Sequence, residues 1–259
     1  MSEAPDPFLP WFNALEQRHL SHLNFAEVRR AVQALSSLYV ERRDKIGRGS
    51  ALDGAGKRAA FAFFFSPLHF LLVRQIVREL GATRSHKAIL DLGCGTGAAG
   101  AAWALEMDRP RPSIAGVDRN PWVLGEAKFT YQSFGLRGTV RSSDITNMPI
   151  PSDTAVVSAF TMNELDAAAR EQFLIQFLRA ARRGSPVLVI EPIARRLTSW
   201  WDQWAVRIKD AGGREDAWRF CLDLPERLAL MDRAAGLDHR ELTGRSLWLP
   251  EHHVTIGGQ

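Results

Sequence analysis

A short apolar strand that runs straight into three glycines sets the strongest limit on what this chain can fold into. In Ala88-Ile-Leu-Asp-Leu-Gly-Cys-Gly-Thr-Gly-Ala-Ala-Gly100, the residues Ile89, Leu90 and Leu92 make the continuous apolar run of a strand covered on both faces. Gly93, Gly95 and Gly97 then remove side chains where the backbone has to turn sharply and come close to a ligand. Ala98, Ala99, Gly100 and Ala101 come next, small enough for a helix to lie tight on the sheet. Strand, glycine hairpin and helix in that order form a nucleotide cradle.

From Ala88 onward, apolar runs of strand length alternate with helical patterns. The spacing predicts strands near 88–92, 113–117, 138–141, 154–159 and 185–191, with helices near 98–106, 121–133 and 167–182. This alternation implies an α/β fold: a parallel sheet with helices on both faces and a ligand crevice at the carboxyl ends of the strands. Upstream, helices are expected from about Trp11 to His22 and from about Phe25 to Asp44. Gly47, Gly49, Gly54 and Gly56 mark a flexible break, and Ser66-Pro67 offers the cap and first position of a helix ending near Gly81. The expected division is a helical extension or lid over 1–82 and a ligand-binding domain over 83–259. With 259 residues, 46% of them hydrophobic, the chain can bury a full α/β core.

Gly95-Thr-Gly-Ala-Ala-Gly100 also satisfies the dinucleotide pattern G-x-G-x-x-G, and Asp118 lies where a ribose-binding acid could sit in an NAD enzyme. The wider context favours another ligand. The wording AILDLGCGTG, with its acid inside the strand and a glycine ahead of G-x-G, resembles the first motif of the class I, Rossmann-like S-adenosylmethionine-dependent methyltransferases. Ile114-Ala-Gly-Val-Asp118-Arg119 resembles the family's second strand, Ser143-Asp144-Ile145 the acid after the third, and Ala155 to Phe160 with Thr-Met-Asn-Glu-Leu165 the fourth strand and its exit. The resemblance implies S-adenosyl-L-methionine as cofactor and a seven-stranded sheet that ends in an antiparallel hairpin, for which Leu237 to Leu242 and Arg245 to Leu249 are the candidates. It implies that Asp91 positions the methionine end, near the backbone of Gly93, Cys94, Gly95 and Gly97. Asp118 would take the two ribose hydroxyls, with Arg119 beside it; Asp144 would meet the adenine amino group, with Ile145 and Phe160 completing the cofactor surface.

For the chemistry, Glu164 is the candidate to orient an acceptor or take its proton, and Asn163 its hydrogen-bonding partner. Glu191 is a second acid at the same rim. Bland readings stand beside these. Asp144 could cap a turn, Asn163 and Glu164 could open a helix, and Glu191 could cap a helix or pair with Arg195 or Arg196. Trp200, Trp201 and Trp204 could stack a planar acceptor or form the buried face of a helix, and Phe61 with Phe63 to Phe65 could close over the cofactor or plug a groove. The fourth-strand exit differs from the N/D-P-P-Y/F motif of enzymes that methylate exocyclic base amines. Cys94 and Cys221 also sit wrongly for covalent attack on a pyrimidine; Cys221 reads as a small buried apolar residue. A narrower resemblance, carried by the helical N-terminal region, Arg-Ala-Ala-Phe-Ala-Phe-Phe-Phe-Ser-Pro67 and Asn-Glu-Leu165, is to methyltransferase-like proteins of the small ribosomal subunit. The cysteines with which that family holds an iron-sulfur cluster are missing here.

The expected activity is therefore methyl transfer to a small molecule or an RNA. The alternatives are a non-catalytic ribosome- or RNA-binding module with this fold, and an NAD-dependent oxidoreductase. Residues 1–90 hold 13 Lys or Arg against 8 Asp or Glu, whereas the remainder is close to neutral. Much of that excess lies from Arg42 to Arg58, in Arg42, Arg43, Lys45, Arg48, Lys57 and Arg58, which could meet nucleic-acid phosphates or form a solvated linker. Two cysteines and no basic-then-apolar leader suggest a cytoplasmic protein. The apolar stretch from Ala59 to Val73, interrupted by Ser66, Pro67 and His69, reads as too short to cross a bilayer. The adjacent His252 and His253 have no partners in sequence to suggest a metal site.

Overall fold

Five runs of β-branched and aliphatic residues become the parallel core of a seven-stranded sheet. The computed structural model describes residues 6–41, 52–194 and 199–251. Its strands are β1 Ala88–Leu92, β2 Ser113–Asp118, β3 Gly138–Ser142, β4 Thr154–Ala159, β5 Val187–Glu191, β6 Arg214–Cys221 and β7 Glu241–Leu249, in the order β3-β2-β1-β4-β5-β7-β6. β1 pairs in parallel with β2 and with β4, placing Asp91 opposite Gly116 on one side and Val157 on the other. β2 with β3 and β4 with β5 are also parallel, and β7 runs antiparallel to β5. The chain reverses direction across the sheet between β1 and β4, which is where a crevice opens at the carboxyl ends of such strands.

By its internal contacts the chain divides into two units, Met1–Leu71 with Phe220–Leu242, and Leu72–Arg219 with Thr243–Gln259. The second unit carries most of the sheet, with helices on both faces. These are α5 Ala98–Glu106, α6 Pro121–Ser133, α7 Ala167–Ala181 and α8 Trp201–Asp210. Asn120 caps α6 by accepting the Trp122 N–H at 2.9 Å, with Pro121 at the first helical position. Asp166 caps α7 through the Ala169 N–H at 2.8 Å. One core cluster joins Leu90, Leu92 and Val156 to Phe173 and Phe177 of α7 and to Trp201 and Trp204 of α8. Trp201 and Trp204 are thus the buried face of a helix, and only Trp200 keeps partial exposure. On α6, the Tyr131 ring fills the space that side chains at Gly97, Gly116 and Gly138 would need. A Cβ at those positions would approach it to 2.7, 2.7 and 2.2 Å.

The first unit holds α1 Phe8–Leu20, α2 Phe25–Glu41, α3 Ala55–Ala59, the π-helical segment Ala60–Phe65, the start of α4 Ser66–Leu80, and α9 Glu226–Ala234. Asn24 and Glu27 form a reciprocal capping box at the start of α2, with hydrogen bonds of 2.8 and 3.0 Å. An aromatic cluster is its core: Phe12 stacks on Phe63 at 5.1 Å, and Phe8 and Trp11 lie 5.4 and 5.3 Å from Phe70.

Several sequence expectations are corrected here. Ser66 does not open a helix: α3, the π segment and α4 are continuous, and the Ser66 N–H donates to the Phe61 carbonyl five residues back. The physical reason is Pro67, whose ring would strike the carbonyl of Phe63 in a regular α-helix; the wider π turn makes room for it. Gly56 marks no break, since it lies inside α3, whereas Gly54, at φ +89°, precedes that helix; Gly47 and Gly49 fall outside the described residues. The continuous helix over Ala55–Leu80 is 26 residues long, and by length and composition it could cross a membrane. Its most apolar window is 78% buried within the protein, as a core helix is. The closing strands are β6 and β7 rather than a hairpin of 237–242 with 245–249. Cys221, at the end of β6, is exposed rather than buried. His252 and His253 lie outside the described residues, as do Arg42, Arg43, Lys45 and Arg48.

Candidate functional site

At the carboxyl end of β1 the carboxylate of Asp91 is fully buried. Its Oδ2 accepts the Gly100 N–H at 2.9 Å, while Oδ1 has no hydrogen-bond partner among the described residues. Burial pushes its pKa up to about 7, against the lowering effect of the Gly100 N–H. A Cβ on Gly100 would come within 2.7 Å of Oδ2, so α5 must begin with backbone alone against this acid. The loop after β1 is anchored to β2 by the Gly93 and Cys94 N–H groups, both of which donate to the Val117 carbonyl, at 2.9 and 3.0 Å. Gly93 has φ +70°, and a Cβ there would meet Thr161 Cγ2 at 2.3 Å. Cys94 is buried, and desolvation, followed by the charges of Asp91 and Asp118, holds its thiol protonated.

Asp118, half-buried at the end of β2, ties the two strand ends together. Its Oδ2 accepts the Gly95 N–H at 3.0 Å and its Oδ1 the Asn120 N–H at 2.9 Å. Each carboxylate oxygen has two acceptor sites, so both keep capacity for a further donor. Arg119, next in the chain, is exposed and forms an ion pair with Asp144. Asp144 in turn caps the short 3-10 turn Ile145–Asn147 by accepting the Thr146 N–H at 3.0 Å. That hydrogen bond, followed by Arg119, holds its carboxyl below the usual range. Ile145 is buried beside it. The turn-capping reading of Asp144 therefore describes its contacts in this structure, and the acid still faces solvent with part of its surface.

The exit of β4 is the third part of the site. Phe160 is half-buried and takes φ +60°, a conformation rare for a residue with a side chain, which lets the chain leave the sheet abruptly. Thr161 Oγ1 donates to either the Gly93 or the Ala159 carbonyl, at 3.3 and 3.1 Å, and so lies between the β4 exit and the glycine loop. Met162–Glu164 is a 3-10 turn in which Met162 is buried, Asn163 half-buried and Glu164 exposed. Asn163 does not cap α7; that role is taken by Asp166. Instead its main-chain N–H and its Nδ2 donate to Glu191 Oε1 and Oε2 at 3.2 and 2.5 Å, and its Oδ1 accepts the Trp200 indole N–H at 2.9 Å. Thr161, and the hydrogen bonds that join the sequence candidates Glu191, Asn163 and Trp200 to one another, were not read from sequence. The partners lie 28 to 68 residues apart and meet only when the sheet forms.

The structure therefore brings Asp91, Gly93, Cys94, Gly95, Gly97 and Asp118 into one hydrogen-bonded cradle. It places Arg119, Asp144 and Ile145 together as a second group, and Phe160, Asn163 and Glu164 on the β4 exit. A buried carboxylate oxygen awaiting a donor, a glycine loop crowded by any added side chain and a second acid with spare acceptor sites fit an ammonium-bearing, ribose-bearing cofactor.

Comparison with known proteins agrees with this geometry. Residues 89–184 match the family model described as a methyltransferase domain. No curated protein sequence matches the chain. Among solved structures, a Listeria monocytogenes protein assigned to the class I S-adenosylmethionine-dependent methyltransferases is 14% identical. The match covers 99% of this chain and 91% of that one, with a TM-score of 0.51. A Nostoc punctiforme protein assigned as an O-methyltransferase is 16% identical over 85% of this chain and 69% of its own, with a TM-score of 0.52. Plantazolicin methyltransferase, solved with a desmethyl substrate analogue and S-adenosylhomocysteine, is 11% identical over 88% and 98%, with a TM-score of 0.50. At these identities the likeness is one of fold.

Proposed function

We propose that this chain, whose residues 89–184 match a methyltransferase-domain family model, uses S-adenosylmethionine to transfer a methyl group to a nucleophile presented beside the β4 exit. The observation that carries the reading is the cradle in which the loop N–H of Gly95 and the carboxylate of Asp118 are already joined, next to the buried Asp91. Asp118 would receive the ribose hydroxyls and Asp91 the ammonium of the methionine end, with Asp144 and Ile145 at the adenine. When bound, the cofactor supplies a methyl carbon already activated by its sulfonium, so the protein has chiefly to position the nucleophile and keep water out. Glu164, exposed on the 3-10 turn, is the group to orient the acceptor or take its proton, and the half-buried Asn163 holds the turn that carries it.

The acceptor is a small molecule or an RNA, and the basic run from Arg42 to Arg58 is the segment that would contact RNA phosphates. Both cysteines are free, which fits work in a reducing, cytoplasmic compartment. Calorimetry with S-adenosylhomocysteine and with NAD tests the cofactor, and transfer of a labelled methyl group into total RNA or a metabolite extract tests the acceptor. Tight binding of NAD alone would overturn the reading. Label in RNA that disappears when Arg42, Arg43, Lys45 and Arg48 are replaced by Ala would assign the acceptor class; label in the metabolite fraction would assign the other.

A further inference from the structure

Glu191 lies at the end of β5, fully buried, in a position where a carboxylate is costly unless its oxygens are used. Both are used on one residue: Oε1 takes the main-chain N–H of Asn163 and Oε2 its side-chain amide. A carboxylate holding one residue by backbone and side chain at once fixes its position and its orientation together. Two further links run from Asn163. Outward, its Oδ1 takes the Trp200 indole N–H, and that ring packs edge-on against Trp204 at 4.7 Å. Backward along the chain, the turn it anchors begins at Thr161, whose methyl and hydroxyl occupy the place of the missing Gly93 side chain. The β4 exit is thus gripped at two points, by β5 through Glu191 and by the glycine loop through Thr161, around the left-handed Phe160.

We propose that Glu191 is a positioning residue of the methyl-transfer site, acting through Asn163 to hold the β4 exit against the glycine loop in the form that receives the cofactor. The inference rests on the proposed function only in taking this loop as the cofactor cradle. Charged groups face Glu191 from two other elements: Arg245 is its register partner on β7, and Arg170 of α7 acts on it through its charge. They favour a carboxylate at 191, and the amide of Asn163 is the matching donor.

The hydrogen-bond polarity makes a test that a general loss of packing would not mimic. Asn163→Asp sets two carboxylates in contact at pH 8 and should weaken S-adenosylhomocysteine binding at least tenfold relative to the parent protein. At pH 5.5 the pair can share a proton, and the ratio to the parent at the same pH should return to within about threefold. The double variant Asn163→Asp with Glu191→Gln exchanges donor and acceptor: the new amide can still accept the main-chain N–H of residue 163 and donate to the new carboxylate. It should bind within about threefold of the parent at both pH values. Thermal unfolding of each variant accompanies the calorimetry. A single variant that binds like the parent at pH 8, or a folded double variant that stays weak, overturns the proposal, as does a fall in melting temperature with no change in affinity. Failure of the parent protein itself to bind S-adenosylhomocysteine would instead overturn the cofactor assignment.

Discussion

The Gly95 N–H and the Asp118 carboxylate are hydrogen-bonded at 3.0 Å, so the loop leaving β1 and the acid ending β2 form one unit before any ligand is present. Pre-formed sites lose less ordering entropy on binding than sites assembled by the ligand. Under the proposed function Asp118 would act twice, as the anchor of the loop that this bond makes it and as an acceptor for the ribose.

Asp118→Ala should therefore weaken S-adenosylhomocysteine binding by about 1–3 kcal/mol, roughly 5- to 150-fold. Calorimetry measures it. Unchanged affinity would remove Asp118 from the cofactor site.

Asp91 gives a pH dependence whose sign can be worked out. Its pKa rises from 3.8 to about 7 because burial disfavours the charged form. The stability tied to its protonation is fully present below pH ~4, declines as pH rises towards 7 and is gone above it. At 1.36 kcal/mol per unit the loss is on the order of 4 kcal/mol across that window. Denaturant unfolding of the unliganded protein should show this slope relative to Asp91→Asn, which cannot titrate. A difference between the two proteins that is flat from pH 4 to 7 would mean that Asp91 does not titrate with that raised pKa.

Gly93→Ala should cost about 1–3 kcal/mol of stability from its positive φ alone. It should also weaken cofactor binding, because the new methyl would displace Thr161. Adding Thr161→Ala removes the two nearest clashing atoms and should recover part of the binding loss but not the backbone strain. Equal affinity in all three proteins would detach Thr161 from the cradle.

β1, β4 and β5 could be read from sequence because each is buried on both faces and so is small or apolar almost throughout. The helices α5 and α6 were bounded correctly because Gly97 and the Asn120-Pro121 pair carry their start signals in the chain itself. β6 was missed for the opposite reason. Arg214–Cys221 is the edge strand of the sheet, half of its residues face solvent, and its charges hide any alternation. The exposure of Cys221 has the same origin. Ser66-Pro67 carried a true local signal for a helix start, which the π segment overrode. The glycine loop could be located because it follows an apolar strand run directly, and Asp118 because it ends the next such run; the contact between Asp118 and Gly95, 23 residues apart, is made by the fold. The Glu191–Asn163–Trp200 chain was not legible, since no spacing in sequence encodes which strand ends will meet.

The π segment Ala60–Phe65 also fixes the rotational phase of α4. Such a segment holds one residue more than regular helical turns would need over the same span. Were the same six residues to take ordinary helical pitch, Ser66–Leu80 would turn by about 100° about its own axis. Phe70, Val73 and Val77, now wholly enclosed, would swing towards water. The pitch of this one coil is therefore under tighter restraint than its alanine- and phenylalanine-rich composition suggests, since a change that forced it into regular turns would disturb the packing of the whole helix beyond it.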